Sequence, residues 1–326
     1  MKNNGERTAR AVDVVIIGGG AAGLSGALIL ARSLRSVVVI DAGQPRNAPA
    51  AGVHGLLARE GTPPAELLAA GREEVHSYGG EILTGEVTGA RRDHDERFAV
   101  TLSDGTRLQA RRLLIATGLV DVLPDVAGLA QQWGHDVVHC PYCHGYEVRD
   151  RAIGILATGA PSVHHALLFR QLSDDLVYFT HHSQLTEEQQ EQFAALGIDV
   201  VTGEVAAAEV VDGNLTGLRM ADGRVVPREV IAVATRMEAR AGFLSELGLH
   251  AVEHPSGMGH HLPADQFGRS PVPGLWLAGN VTDLTAQVGA AAAAGATAGQ
   301  HLNADLVAED ARAAVERHRR ASAGTS

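Results

Sequence analysis

Cysteine is nearly absent: the 326 residues contain two, Cys140 and Cys143. That scarcity excludes a disulfide-stapled scaffold, which needs several bridges to replace a core. Positive charge is also in deficit. The formal net charge is −11 and Lys2 is the only lysine, so no cationic surface is available to displace the counterions of a nucleic acid. The acidic excess favours solubility. Long apolar runs are missing too: the first, Val12 to Ile17, is far too short to span a bilayer, and Met1 to Arg7 has no apolar signal core. A cytoplasmic chain without a membrane partner is therefore expected. In that reducing compartment a persistent structural disulfide is out of place, which turns the two thiols toward redox or metal chemistry.

What the chain does contain is glycine and small apolar residues. Thirty-eight glycines, 45% hydrophobic and 20% charged residues suit a soluble α/β protein whose parallel strands are covered on both faces. The length exceeds the usual single domain, so two domains are expected.

Val12–Ile17 reads as a strand, Gly18-Gly19-Gly20-Ala21-Ala22-Gly23 as a glycine turn, and Leu24 to about Ser33 as a helix. A second strand, Val37–Ile40, ends in Asp41 about 20 residues beyond the glycines. The spacing is that of a dinucleotide fingerprint: glycines admit the backbone to a pyrophosphate at a helix N-terminus, and the acid accepts from a ribose hydroxyl. Residues 82–116 read as a β-rich excursion of Ile82–Val87, Phe98–Leu102, Arg107–Ala110 and Leu113–Ala116, with a hairpin at Asp104-Gly105. A second strand-turn-helix unit begins at Ala152, continues through a helix from Ser162 to Leu172, and reaches Leu176–Thr180. Near the end, Gly274–Asn280 is a strand entering a turn, Gly289–Leu302 is a close-packed helix, and the tail beyond Arg312 is expected to fray.

Between the two units stands Cys140-Pro141-Tyr142-Cys143-His144. Two thiols separated by two residues close a small disulfide ring, and a helix N-terminus or neighbouring positive charge lowers the thiolate pKa so that the pair exchanges readily. His144 suits the base role, because imidazole near neutrality both deprotonates a thiol and stabilises a thiolate as a cation. Cys-x-x-Cys-His also matches c-type haem attachment, and a zinc site with His139 or His144 is conceivable. The first needs export, and the second has only two thiolates and no second Cys-x-x-Cys to support it. His54, in Val53-His54-Gly55, is a further candidate near the cofactor; Trp133 and Tyr142 read as packing and pocket wall.

These features together resemble the low-molecular-weight thioredoxin reductase family of flavoproteins over nearly the full length. The likeness rests on Gly18–Gly23 with Asp41, Ala116-Thr117-Gly118, the central cysteines and Leu277-Ala278-Gly279-Asn280. Within that family, Cys140 to Glu147 looks most like the dithiol oxidases that close disulfides in natural products such as holomycin and gliotoxin. The resemblance implies two Rossmann-like, three-layer dinucleotide-binding domains and a homodimer. The FAD domain would be split into about 1–120 and 245–326, around a central domain of about 121–244. It implies FAD held by Gly18, Gly20, Ala22, Gly23 and Asp41, with Arg46, Asn47 and Val87 nearby. Ala116, Thr117 and Gly118 would join them, Gly279 and Asn280 would lie along the ribityl chain, and Gln287 and Val288 at the ring's pyrimidine edge. Cys140 would be the outer sulfur attacked by substrate, Cys143 the one facing the flavin.

Two departures bear on function. Asn280 replaces the family's usual acid. In the second unit, Ala157-Thr158-Gly159-Ala160-Pro161-Ser162 keeps only the middle glycine, Pro161 removes a backbone N–H from the expected phosphate cradle, and no arginine follows Thr180 to clamp a 2′-phosphate. Electrons are then expected to enter from a small dithiol rather than from NADPH and to leave through FAD to dioxygen. A thioredoxin reductase, using NAD(P)H through an unusual nicotinamide site or another electron donor, and a flavin-bound redox sensor are the competing readings.

Overall fold

The structure is a computed structural model that describes residues 10–323. The Met1–Arg7 segment, read above as lacking a signal core, lies outside them. β1 (Arg10–Ile17), α1 (Ala21–Arg32) and β2 (Val37–Asp41) follow the expected order. β1 and β2 run parallel, Val14 opposite Val37 and Ile17 opposite Ile40, and burial on both faces explains their unbroken Val/Ile composition. α2 (Pro64–Ser77) packs on α1, and β3 (Glu81–Thr84) extends the sheet beyond β2.

Ile82–Val87 is not one strand, as the sequence suggested. The Gly85 N–H closes the pairing by bonding the Asp41 carbonyl at 2.9 Å, and β4 (Val87–Arg92) then departs to pair antiparallel with β5 (Phe98–Leu102). Arg107–Ala110 and Leu113–Ala116, read as two segments, form one strand, β6 (Arg107–Ile115), which joins β5 to β1. β7 (Leu119–Val122) leads out of this sheet.

The next stretch builds a second Rossmann-like unit. It contains β8 (Val137–Val138), α3 (Pro141–His144), β9 (Ile153–Leu156), α4 (Pro161–Arg170), β10 (Leu176–Phe179), α5 (Glu187–Leu196) and β11 (Asp199–Val201). An antiparallel triplet follows, β12 (Val205–Val211), β13 (Asn214–Met220) and β14 (Val225–Pro227), before β15 (Val230–Val233). The parallel sheet has the order β11-β10-β9-β15-β8. Phe169, Tyr178 and Phe193 fill its core on one side, Phe179 and Leu218 on the other.

The return strand β16 (Arg236–Ala239) pairs antiparallel with β7, so two adjacent strands carry the chain out and back. β17 (Val252–Glu253) and β18 (Gly259–His261) pair beside β16. β19 (Leu275–Leu277) rejoins β6 as the seventh strand of the first sheet. α6 (Val288–Ala323) then lies against α1. The two helices touch through glycines: a Cβ on Gly295 would stand 1.9 Å from the Ala22 carbonyl oxygen. α6 neither stops near Leu302 nor frays after Arg312. Asp305 and Glu309 pair with Arg112, and Asp310 with Arg35, which ties its distal half to the first sheet.

Candidate active site

A cavity of about 960 Å³ opens at the carboxyl ends of β1 and β2 and reaches α3 and the start of α6. Gly18, Gly20, Ala22 and Asp41 line it. Gly23 does not: its absent Cβ would sit 1.9 Å from the Gly18 carbonyl oxygen, so it serves close packing of α1 on its own turn. Gly20 is the N-cap of α1, with no side-chain cap and no acid in the first turn. The first α1 bond runs from the Leu24 N–H to the Gly20 carbonyl at 2.9 Å, which leaves the preceding N–H groups without helical acceptors. Asp41 accepts from the Gly43 N–H at 3.1 Å and from Arg72 at 3.0 Å.

Asn47, Val87, Ala116, Thr117, Gly118, Gly279, Asn280, Gln287 and Val288 also line the cavity. Asn280 donates its amide N–H groups to the carbonyls of Asp283 at 3.0 Å and Ala286 at 2.9 Å, pinning the loop that leads into α6. A carboxylate has no hydrogens to give there, which accounts for the amide.

Arg46 lines the cavity as expected, but its guanidinium is committed elsewhere. It forms a fork on the Asp121 carboxylate, 2.6 and 2.7 Å, and contacts the Met237 sulfur. Asp121 is 4% exposed and also accepts the Thr235 hydroxyl at 2.6 Å. Burial alone would raise the Asp121 carboxyl, yet the Arg46 fork holds it below the usual range. Sequence reasoning missed Asp121; its only signal is a lone acid inside the apolar run Leu119–Leu123.

Cys140 is the N-cap of α3, a single helical turn with Pro141 at its start. The Cys140 and Cys143 sulfurs lie 2.7 Å apart. A hydrogen bond from the Cys143 thiol lowers Cys140 to about 7 against the opposing effect of burial, helped by the backbone N–H groups of Tyr142 and Cys143 and the Arg46 charge. Cys143 is pushed up by that same hydrogen bond, by burial and by the Cys140 charge. The reduced pair therefore carries one negative charge near neutrality, placed on Cys140.

His144 closes the turn and lines the cavity, and its Nε2 is buried without a partner. Burial lowers its pKa, opposed by the Glu147 carboxylate, which suits a neutral base. His139 also lines the cavity, its Nδ1 donating to the Val233 carbonyl at 3.0 Å. His165, unremarked as a site residue above, also lines the cavity; burial lowers it to about 4, and its Nε2 donates to the His139 carbonyl. Among the described residues no group of three or more His, Cys, Asp or Glu side chains converges for a metal, and no helix is long and apolar enough to cross a membrane.

The second glycine turn is occupied by its own side chains. Ser162 is fully buried and accepts the Thr158 N–H at 2.9 Å, while the Thr158 hydroxyl donates to the Ala234 carbonyl at 2.6 Å. Pro161 stands in the first turn of α4. One arginine does reach the adjoining crevice, which the sequence reading denied. Arg236 arrives from β16, and Glu238 and Glu253 hold it at 2.9 and 2.8 Å.

The profile of the pyridine nucleotide-disulphide oxidoreductases matches residues 12–298. Thioredoxin reductase tcpT of Claviceps purpurea (strain 20.1) is 32% identical over 93% of this chain and 96% of its own. Among solved structures, that of HlmI superposes with a TM-score of 0.89 at 43% identity, covering 95% of this chain and 97% of HlmI. An oxidoreductase from Agrobacterium tumefaciens gives 0.84 at 32%, covering 91% and 99%. FAD is the family's cofactor and the residues fit it: an uncapped helix start without an acid for the pyrophosphate, an acid at the end of β2, and a cavity running from there to the thiols. The chain belongs to the pyridine nucleotide-disulphide oxidoreductase family of FAD-binding flavoproteins, on the thioredoxin reductase-like fold.

Proposed function

We propose that the protein oxidises a small dithiol to its disulfide through Cys140 and Cys143, with dioxygen as the final acceptor and hydrogen peroxide as the second product. The observation that carries this reading is the second glycine turn, where Ser162 and Pro161 take up the helix start that a nicotinamide dinucleotide would need. Arg236, locked to two glutamates, offers no free charge for a 2′-phosphate. The proposed layout is an FAD unit of about 1–120 and 245–326, a central unit of about 121–244 carrying the cysteines, and a homodimer.

The chemistry is thiol–disulfide exchange. A substrate thiolate attacks the Cys140 sulfur of the enzyme disulfide and releases Cys143; the second substrate thiolate then attacks the sulfur joined to Cys140, forming the product disulfide. Two electrons reach the cysteine pair and two protons leave the substrate, the first taken by His144. Gly18, Gly20, Ala22 and Asp41 would hold FAD, which would supply the two-electron acceptor chemistry between the thiols and dioxygen. The backbone N–H groups beside Cys140 and the charge of Arg46 stabilise it as a leaving thiolate.

Anaerobic mixing tests the reading. Bleaching of the visible flavin band by dithiothreitol, with recovery and peroxide on admitting air, is expected. Rapid bleaching by NADPH instead would assign the chain to reductase chemistry, as the name of its Claviceps relative suggests.

A further inference from the structure

Each disulfide formed releases two thiol protons, and a single imidazole holds one. A second histidine lines the same cavity. His54 comes from a loop closed at its base by the Val53 N–H to the Thr62 carbonyl at 2.8 Å and the Gly61 N–H to the Val53 carbonyl at 2.9 Å. Its Nδ1 lies 2.6 Å from Glu60 Oε1, and the other Glu60 oxygen accepts the Gly55 N–H at 2.8 Å. A carboxylate fixed in this way sets the imidazole tautomer, with hydrogen on Nδ1 and a lone pair on Nε2. His54 Nε2 lies 3.6 Å from Glu147 Oε1. Glu147 is also the carboxylate whose field acts on His144, so one acid serves two imidazoles that reach the cavity from different parts of the chain.

We propose that His54 is the second acid–base residue of the dithiol reaction, oriented by Glu60 and coupled to His144 through Glu147. The inference rests on the dithiol reading above. Deprotonation of the two substrate thiols is divided between the histidines: the proton taken by His144 passes to the released Cys143, which is the protonated member of the reduced pair, and the other goes to His54 Nε2, while the two electrons pass to the enzyme disulfide as its S–S bond breaks. The charged and titratable groups facing His54 are Glu60 from its own loop and Glu147 and His144 from the α3 segment. Gln287, the neighbour of Gly55 on the α6 side, is uncharged.

Two measurements on the holoprotein decide the matter. Long-range proton–nitrogen correlation on histidine-labelled protein is expected to report the Nδ1–H tautomer for His54 and to lose it in Glu60→Gln; an Nε2–H tautomer in the parent overturns the assignment whatever the activity. Anaerobic single-turnover reduction by dithiothreitol is expected to slow about 10- to 100-fold in His54→Ala, the low end of general acid–base contributions because His144 remains. Added imidazole should restore the rate in proportion to its concentration, a response that a packing defect does not give. If the parent is reduced while His54→Ala is slowed less than twofold, or is slowed without imidazole rescue, His54 is not a base and the dithiol reading stands. If dithiothreitol does not reduce the parent at all, that reading fails and takes this role with it.

Discussion

Replacing Arg46 with methionine removes the partner of a carboxylate that is almost wholly buried. Asp121 is 4% exposed, and its remaining donor is the Thr235 hydroxyl. Breaking a buried pair by deleting one member costs about 3–5 kcal/mol. The alternative for the stranded group is to protonate: from an ordinary aspartate value near 3.9 up to pH 7 this costs about 4 kcal/mol at 1.36 kcal/mol per unit, so both routes give the same size. The sign with pH follows. In the parent, Asp121 is depressed on folding, so its contribution is present above about pH 3.9 and is lost as pH falls through the lower folded value. In Arg46→Met the burial that opposes ionisation dominates and the carboxyl is raised, so the deficit is largest at neutral pH and shrinks as pH falls toward 4. Thermal unfolding at saturating FAD, which prevents cofactor loss from entering the comparison, should show a drop of about 6–10 °C at pH 7, at about 2 °C per kcal/mol for a chain of this size. The drop should be much smaller at pH 5, and Arg46→Met with Asp121→Asn should recover most of it. A loss under about 2 °C at pH 7, or an equal loss at both pH values, refutes the reasoning.

Cys140→Ser and Cys143→Ser should each abolish dithiol oxidation while the protein stays yellow; turnover retained in either sinks the exchange mechanism. In the phosphine-reduced protein, iodoacetamide should label Cys140 with a midpoint near pH 7 and leave Cys143 unlabelled below about pH 9, as peptide mapping would show; preferential labelling of Cys143 contradicts the charge placement. Gly295→Ala puts a methyl 1.9 Å from the Ala22 carbonyl oxygen, and should cost about 3 kcal/mol, the upper end of ordinary overpacking; an unchanged melting temperature would mean that α1 and α6 separate freely.

The parts legible in the sequence are those set by short-range rules. A Val/Ile run, a glycine turn, a helix and a terminal acid specify β1-α1-β2 because each step is fixed by neighbours in the chain, and Cys140 and Cys143 share one helical turn. The parts that escaped are made by distant residues. Arg46 and Asp121 are 75 positions apart, and nothing near Arg46 tells a guanidinium bound for a carboxylate from one bound for a phosphate. The change of partner between β3 and β4 happens over Gly85-Glu86, two residues without a strong turn signature. α6 outruns its alanine-rich half because its acids meet Arg112 of β6 and Arg35 of the turn before β2, which a helix-by-helix reading does not see. His54 was visible as a candidate, but Glu60 and Glu147, the residues that give it a role, were not.

If a dithiol supplies the electrons, they enter and leave at one cavity, and the second unit need never present a nucleotide to the flavin. Two features of the structure support that proposal. Ser162 fills the turn that would receive the nucleotide, and Arg46 fastens the outgoing strand β7 to the loop after β2 while Thr235, just before the return strand β16, holds the same carboxylate. A buried ion pair is poor as a source of stability but sets geometry well, and here it fixes the two strands that join the units with the thiols already facing the cavity. Loosening it should therefore impair reduction by dithiothreitol as well as stability: Asp121→Asn, which keeps the volume and the Thr235 contact, should slow the single-turnover rate several-fold even where the protein is fully folded. Normal kinetics in that variant would leave the clamp a stabilising contact and nothing more.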